Sequence, residues 1–374
     1  MVSRAQAFHY AKVLGAVLLL LSLAGALFAW SGLYSVAASR GHWPVTDWIL
    51  AFGMRQSVET HSIGLSAPPL DDPDLIRLGA GHFYGGCAYC HGAPGTPISP
   101  IARQMLPSPP ELSKAAPHWS SAELFWIVKH GIKYTGMPSW VAIERDDEVW
   151  AVVAFLRRLP GLDAAQYREL ALGAVRIPAQ SGRNIAAAES AYDAVAACAR
   201  CHGADEHGPI SRLVPRLHGQ SVAYLTQALQ AYARGQRLSG IMQPVASALE
   251  PDEIGKVAAY YAGLTLRARD QQAESDQSVD AGRVLALRGV PETGIPPCVA
   301  CHGQQALATY PRLAGQNAAY MIGQLRLWQR GADALSDHAA IMVPIARRLS
   351  EQQIKDVSAY FAALDPAVAH EAQR

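Results

Sequence analysis

The sequence predicts an all-α protein in which one N-terminal transmembrane helix precedes three small helical domains. Three observations lead to this prediction. An uncharged run from Val13 to Ser39 is longer than the ~20 residues that span a bilayer. A pentapeptide of the form Cys-x-x-Cys-His occurs three times downstream. Around these pentapeptides apolar residues recur at helical spacing, as in Trp150, Val153 and Leu156.

Length and composition bound the possible functions. A chain of 374 residues is long enough for two or three domains with separate cores. Hydrophobic residues make up 50 % of the chain and charged residues 17 %, and the net charge is +1. Since nucleic-acid binding depends on clustered positive charge, we exclude nucleic acid as a partner.

Residues 1–40 are predicted to form a membrane anchor. Arg4 and Lys12 precede the uncharged run, so the positive-inside tendency leaves the N-terminus in the cytoplasm. The rest of the chain would then lie in the periplasm, tethered to the inner membrane by one helix. A cleaved signal peptide with its processing site in residues 36–39 is the alternative, and it gives the same compartment.

Residues 41–71 are predicted to be an interfacial segment followed by a linker. Trp43, Trp48 and Phe52 come directly after the apolar run, and aromatic side chains of this kind are enriched at membrane–water interfaces. The linker then contains Pro68, Pro69 and Pro73, which interrupt regular structure. This arrangement favours an anchor that is retained in the mature protein.

The three pentapeptides have the pattern of covalent haem attachment. In this pattern two thiols bond to the haem vinyl groups, and the adjacent histidine coordinates the iron. We therefore predict three haems c, attached through Cys87 and Cys90, Cys198 and Cys201, and Cys298 and Cys301, with His91, His202 and His302 as the first axial iron ligands.

The cysteine count argues against the other uses of this pattern. The chain has six cysteines, and the three motifs use all of them. Zinc sites of four thiolates need motifs in pairs, and three motifs do not divide into pairs. A thioredoxin-like redox dithiol needs alternating strands and helices, which the sequence does not show.

Three units are predicted to surround the three motifs. Unit 1 comprises residues 72–165, unit 2 residues 185–265 and unit 3 residues 278–366. Units 2 and 3 share several sequence stretches, among them Pro215–Gln220 and Pro311–Gln316. Such matches indicate an internal duplication, because loops drift in length while the stretches that pack remain. Arg216 and Arg312, matched in the two copies, are either haem-propionate partners or surface residues.

Methionines at suitable distances complete the predicted iron coordination. Met242 and Met342 each follow the motif histidine of their unit by 40 residues (202 to 242 and 302 to 342). Met321 lies in a helical stretch and is interpreted as a core residue. In unit 1 we prefer Met137 to Met105, because Met105 follows His91 too closely. A thioether ligand favours ferrous iron and raises the reduction potential.

Further predictions concern helix ends, a glycine and the histidines outside the motifs. Asp146 is the expected N-cap of the last helix in unit 1, and Ser350 with Gln353 forms a capping box in unit 3. Gly79 permits close approach of a second helix or of the porphyrin. The remaining histidines, His82 included, are interpreted as surface or packing residues, and His130 is the one that could replace Met137.

The residues quoted above resemble a known family. Residues 185–365 resemble di-haem cytochrome c4, with Pro-Arg-Leu-x-Gly-Gln after the haem motif, Met-x-Pro-x-Ala and a terminal Tyr-containing helix. Residues 72–165 resemble a further class I cytochrome c domain, whose stretch 129–138 is similar to the distal-Met loop of membrane-anchored proteobacterial cytochromes. The resemblance implies three all-helical class I cytochrome c domains that pass electrons between membrane complexes.

The function expected from this resemblance is electron transfer without substrate chemistry. Our first hypothesis is a tethered carrier that takes electrons from a quinol-oxidising complex or a small cytochrome towards a terminal oxidase. The alternative is the cytochrome subunit of a periplasmic dehydrogenase complex. A haem enzyme such as a peroxidase needs an iron with an open axial position, and six-coordinate sites provide none.

Overall fold

The computed structural model describes residues 4–173, 194–204, 208–264, 276–303, 306–332 and 337–365. Within these ranges the regular structure is helical, and the β contacts are two isolated bridges, Ala93–Thr96 and Val290–Ile295. The prediction of a mostly helical chain is confirmed. The division into three units remains a prediction, although a separate buried hydrophobic cluster lies within each of them.

Two helices precede unit 1. Helix α1, Arg4–Ser31, is exposed along its described length, and its stretch Gln6–Ser31 is long and apolar enough to cross a membrane. A signal sequence near the N-terminus would meet the same criteria of length and hydropathy. Helix α2, Pro44–His61, ends against unit 1: Val58 is fully buried, and the His61 ring lies 5.5 Å from the Trp126 ring.

Unit 1 is built from helices around one apolar cluster. Phe83 and Phe155, both fully buried, lie at its centre with ring centroids 5.0 Å apart. The α-helices of this part of the chain are α3 (Pro73–His82), α4 (Ala88–His91), α5 (Leu112–Ala115), α6 (Ser121–His130), α7 (Asp146–Arg158) and α8 (Ala164–Leu172), and a π-helical turn, Phe83–Cys87, joins α3 to α4.

Units 2 and 3 have similar helix orders within the described residues. Helices α9 (Ala194–His202), α10 (Val222–Ala233), α11 (Met242–Ser247) and α12 (Pro251–Gly263) belong to unit 2. Those of unit 3 are α13 (Asp276–Arg288), α14 (Val299–His302), α15 (Ala318–Gln329), α16 (Asp337–Ala346) and α17 (Glu351–Ala363). The position before α9 that would correspond to α13 falls in 174–193, outside the described residues.

Glycines allow α3 and α7 of unit 1, and α13 and α17 of unit 3, to touch through their backbones. A Cβ atom on Gly79 of α3 would lie 1.9 Å from the carbonyl oxygen of Ala151 in α7. A Cβ atom on Gly282 of α13 would lie 1.9 Å from the carbonyl oxygen of Asp356 in α17. The expectation that Gly79 permits close helix approach is confirmed, and Gly282 has the same role in unit 3.

The N-termini of α17 and α7 show whether the predicted helix caps are correct. Ser350 caps α17, and its side chain and that of Gln353 make both bonds of the capping box. The expectation for Asp146 is wrong, since α7 has Arg145 at its N-cap position. The Asp146 carboxylate instead binds the Lys129 ammonium at 2.5 Å, a contact between two helices that local sequence pattern does not encode.

Units 2 and 3 face each other through reciprocal hydrogen bonds of their shared stretches. The backbone N–H of Arg216 donates to Gln316 Oε1 at 2.9 Å, and that of Arg312 donates to Gln220 Oε1 at 2.9 Å. Each glutamine amide donates in return to the carbonyl of the same arginine, Gln316 to Arg216 at 3.1 Å and Gln220 to Arg312 at 2.7 Å. The Arg216 side chain donates to Asn317 and that of Arg312 to Gly219. Both arginines therefore belong to the contact between units 2 and 3.

We expect Gln220→Ala to lower the free energy of unfolding by about 1–3 kcal/mol, because Gln220 is buried and its loss removes two hydrogen bonds to the Arg312 backbone. Denaturant unfolding of the haem-loaded protein measures this. The exposed Gln227→Ala in α10 is the matched control. Equal stability of the two variants would show that the reciprocal bonds do not hold the units together.

Candidate haem-binding sites

Each Cys-x-x-Cys-His motif lies at the end of a helix. Motif 1 spans the π-helical turn and α4, motif 2 ends α9, and motif 3 ends α14. The first cysteine and the histidine of a motif are four residues apart, so on a helix they share one face. In motifs 2 and 3 the first cysteine and the histidine line one cavity, as haem attachment requires.

The three motif histidines make the same contact. In each, the ring Nδ1 lies at hydrogen-bond distance from a proline carbonyl oxygen downstream of the motif. Because a carbonyl only accepts, Nδ1 carries the proton, and the lone pair is left on Nε2 for a metal. The pairs are His91 with Pro110 at 2.8 Å, His202 with Pro215 at 2.9 Å and His302 with Pro311 at 2.9 Å.

The protonation of these rings also suits iron coordination. Burial lowers the pKa of His91 and of His202, and the hydrogen bonds to Pro110 and Pro215 oppose that shift only in part. A neutral imidazole is the form that binds a metal. At neutral pH both rings are therefore ready ligands without loss of a proton.

A single cavity of about 550 Å³ joins the predicted sites of units 2 and 3. Apolar side chains of both units form much of its wall. The predicted ligands and attachment residues of both sites line it, namely Cys198, Cys201, His202, Met242, Cys298, Cys301, His302 and Met342. The structure thus brings together two sets of residues that are a hundred positions apart in sequence.

In unit 1 the two predicted iron ligands do not line one cavity. His91 lines a cavity of about 610 Å³ of which Met137 is not a lining residue. Met137 lies in a tight loop, where its carbonyl accepts from the Ile132 N–H at 3.2 Å and its N–H donates to Thr135 Oγ1 at 3.1 Å. The Met105 sulfur lies beside Gly136 of the same loop. Both methionines are therefore near one another, and Met137 as ligand remains a prediction.

The residues present fit covalent haem better than the two alternatives. A redox dithiol needs a lowered thiol pKa, whereas burial raises the pKa of Cys87 to about 12 and that of Cys298 to about 11. In the part of the chain that the structure describes, no three His, Cys, Asp or Glu side chains come together as a metal site. An apolar cavity with imidazole and thioether groups is the donor set of a haem pocket.

His82 is a cavity residue whose surroundings the sequence did not reveal. It is buried in α3, lines the cavity that units 2 and 3 share, and its ring lies 5.5 Å from that of Trp140. Neither ring nitrogen has a hydrogen-bond partner among the described residues. Burial, with Arg145 and Arg200 nearby, lowers its pKa to about 3 and keeps it neutral. No spacing in the sequence distinguishes His82 from the other histidines. His130, by contrast, is exposed at the end of α6.

Comparison with known proteins agrees with this chemistry. The sequence profile of the family described as cytochrome c oxidase, cbb3-type, subunit III matches residues 74–156 and 183–260. A cytochrome c4 from Thiocapsa roseopersicina is 34 % identical over 172 residues, which cover 45 % of this chain and 86 % of that protein. The solved structure of a cytochrome c4 from Acidithiobacillus ferrooxidans is 32 % identical, covers 45 % of this chain and 98 % of its own, and has a TM-score of 0.40.

A thiosulfate dehydrogenase electron acceptor from Stutzerimonas stutzeri (strain A1501) is 38 % identical over 187 residues, which cover 49 % of this chain and 86 % of that protein. Both relatives are more than 30 % identical to this chain over most of their own length, and the chain carries the haem-attachment motifs. Together these matches assign it to a family. The chain belongs to the cytochrome c family and is an electron-transfer protein related to cytochromes c4 and to thiosulfate dehydrogenase electron acceptors.

Proposed function

We propose that the chain is a membrane-anchored periplasmic electron carrier with three haems c, which takes electrons towards a terminal oxidase. The observation that supports this most directly is the threefold repetition of a motif histidine held through Nδ1 by a proline carbonyl. When bound, the haem irons supply one-electron redox chemistry. The chain itself supplies attachment, axial ligands and an apolar enclosure, which set the potentials.

In this proposal each class I cytochrome c domain holds one haem. The thiols are the attachment points in all three. Histidine and methionine are the axial pair, assigned as His91 with Met137, His202 with Met242 and His302 with Met342. Contacts between successive units keep the three sites in one assembly: Gly81 of unit 1 approaches the Cys201 thiol, and units 2 and 3 share the cavity of about 550 Å³.

The electron donor has two candidates. The first is a quinol-oxidising complex or a small cytochrome. The second is a periplasmic dehydrogenase, for which this chain would be the electron-accepting subunit. The 38 % identity to a thiosulfate dehydrogenase electron acceptor favours a dehydrogenase donor, and makes thiosulfate dehydrogenase the first to test.

The anchor completes the proposal. Helix α1 would cross the inner membrane, and the exposed apolar side chains Val45, Trp48, Ile49 and Phe52 of α2 would lie at its periplasmic surface. The other end of α2 packs on unit 1, where Arg55 covers the Trp119 ring at 4.7 Å. Helix α2 would thereby hold unit 1 close to the membrane. A mature chain that begins near residue 40 would instead indicate a cleaved signal peptide.

We expect the chain to be extracted from native membranes only by detergent, with an intact N-terminus by mass, and to co-purify with its redox partner. In the purified system, thiosulfate with thiosulfate dehydrogenase should reduce all three haems, as followed by the ferrous absorption bands. In a parallel reaction, quinol with a quinol-oxidising complex is tested as the source of electrons for the same haems. Faster reduction by the quinol-oxidising complex would select the first donor, and failure of both reactions would reject the proposed route.

A further inference from the structure

Residues of unit 1 hold the loop of unit 2 that leads into Met242. Glu148 lies in the first turn of α7 and is 4 % exposed. Its Oε1 accepts a hydrogen bond from the Ser239 hydroxyl at 2.6 Å, and its Oε2 accepts one from the Gly240 N–H at 2.6 Å. Both bonds cross from one unit to the other.

Ser239 connects this carboxylate to the backbone of Met242. Its Oγ accepts hydrogen bonds from the N–H groups of Met242 at 3.1 Å and of Ile241 at 3.3 Å. Met242 is the first residue of α11, and its first-turn N–H groups have no partner within the helix. One side chain therefore separates Glu148 from the start of the helix that carries Met242.

Two other residues of unit 1 close around the same loop. Trp140 Nε1 donates to Glu148 Oε2 at 3.1 Å, and a Cβ atom on Gly240 would lie 2.2 Å from that nitrogen. Arg145 donates to the Leu238 carbonyl at 2.8 Å and lies 3.1 Å from Glu148 Oε1. The loop is thus held by hydrogen bonds and by a contact that only glycine permits.

Loss of the Glu148 carboxylate would destabilise the contact between units 1 and 2, because charged and polar groups are buried around it. Burial raises the pKa of Glu148, while Arg145 and the bonds from Ser239 and Gly240 oppose that rise. Arg145 is also bound by both oxygens of Asp147, at 2.8 and 3.0 Å. Water does not replace donors and acceptors that are buried here, so an altered Glu148 side chain leaves them unpaired.

Unit 3 gives an internal comparison. Met342 lies well inside α16, whereas Met242 begins α11. When the two methionines are aligned, Ala339 and Ala340 occupy the positions of Ser239 and Gly240. The backbone before Met342 is therefore held by its own helix. Before Met242 the backbone has one helix-type bond, from the Gln243 N–H to the Ser239 carbonyl at 3.2 Å, and the Gln243 side chain accepts from the Ser239 N–H at 2.9 Å. Unit 1 adds the bonds from Glu148 and Arg145 to the loop 238–240.

We propose that Glu148 is a positioning residue for Met242: unit 1 holds the loop 238–240, and thereby the methionine that serves as distal ligand of the haem in unit 2. This inference rests on the proposed assignment of Met242 as that ligand. It makes the second site depend on a neighbouring unit, whereas the third site depends on its own helix.

The test uses the full chain with its three haems and the variants Glu148→Leu, Glu148→Gln and Ser239→Ala. Titration of the oxidised protein with imidazole measures how readily an external ligand displaces methionine. In Glu148→Leu we expect the imidazole affinity of one haem to rise roughly tenfold, the effect of losing a charge-assisted hydrogen bond. The near-infrared sulfur-to-iron absorption should fall, and one of three midpoint potentials should move lower. Glu148→Gln keeps one acceptor and should show a smaller change.

Two controls separate the possible failures. Arg212→Ala removes another ion pair between units 1 and 2, with Asp74 at 2.5 Å, and should leave the imidazole affinities unchanged. Met242→Ala tests the ligand assignment itself. If Met242→Ala opens a site while the Glu148 and Ser239 variants match the unchanged chain, the positioning role is rejected. If Met242→Ala also has no effect, the ligand assignment fails. An equal effect of Arg212→Ala would indicate general loosening of the units and would also overturn the inference.

Discussion

In Met242→Ala we expect reduced protein to bind about one carbon monoxide per chain, against close to none in the unchanged protein, because the alanine methyl cannot reach the iron. Met242 is the only methionine of unit 2, so no other thioether of that unit replaces it. One midpoint potential should fall as well, since a thioether favours ferrous iron. Carbon monoxide titration and a redox titration measure the two effects.

Met321→Leu is the control for this experiment. Met321 lines the same cavity but is 6 % exposed and belongs to the buried cluster of unit 3. Leucine conserves its volume, so we expect neither carbon monoxide binding nor a change in potential. An unchanged low-spin spectrum in Met242→Ala would count against Met242 as ligand, and carbon monoxide binding in Met321→Leu would transfer that role in unit 3 from Met342 to Met321.

Gly282→Ala should strongly destabilise unit 3. The new methyl group would meet the Asp356 carbonyl oxygen at 1.9 Å and the Tyr360 Cβ at 2.8 Å. Both neighbours belong to the backbone or the base of a side chain, so relief requires α13 and α17 to separate. We expect a loss of about 1–3 kcal/mol or more in the free energy of unfolding. Thermal and denaturant unfolding of the haem-loaded protein measure it.

Gly255→Ala is the matched control, because Gly255 lies in α12 with no atom near its missing Cβ. Alanine there should stabilise the helix by about 0.5–1 kcal/mol. Gly79→Ala repeats the test in unit 1, where the same 1.9 Å approach occurs. If Gly282→Ala were as stable as Gly255→Ala, the helices of unit 3 would not depend on backbone contact.

Local sequence pattern was sufficient to predict the features that depend only on residues close together in the chain. The haem motifs, the mostly helical content and the capping box of Ser350 and Gln353 all follow from groups within about one helical turn. The wrong prediction of Asp146 as the N-cap of α7 has the opposite cause, a contact with a residue distant in sequence. A carboxylate before an apolar helix suits a cap, but Lys129 in another helix binds it instead.

The sequence by itself determined how many haem-attachment motifs the chain has, their residues and the helical class of the chain. Only the tertiary structure decided which units meet and through which side chains. Glu148 binds Ser239 from 91 positions away, and Gln220 binds Arg312 from 92. The reason is physical: periodicity records which face of a helix is buried, whereas the partner of that face depends on shape and on buried polar groups that must be paired across distant parts of the chain.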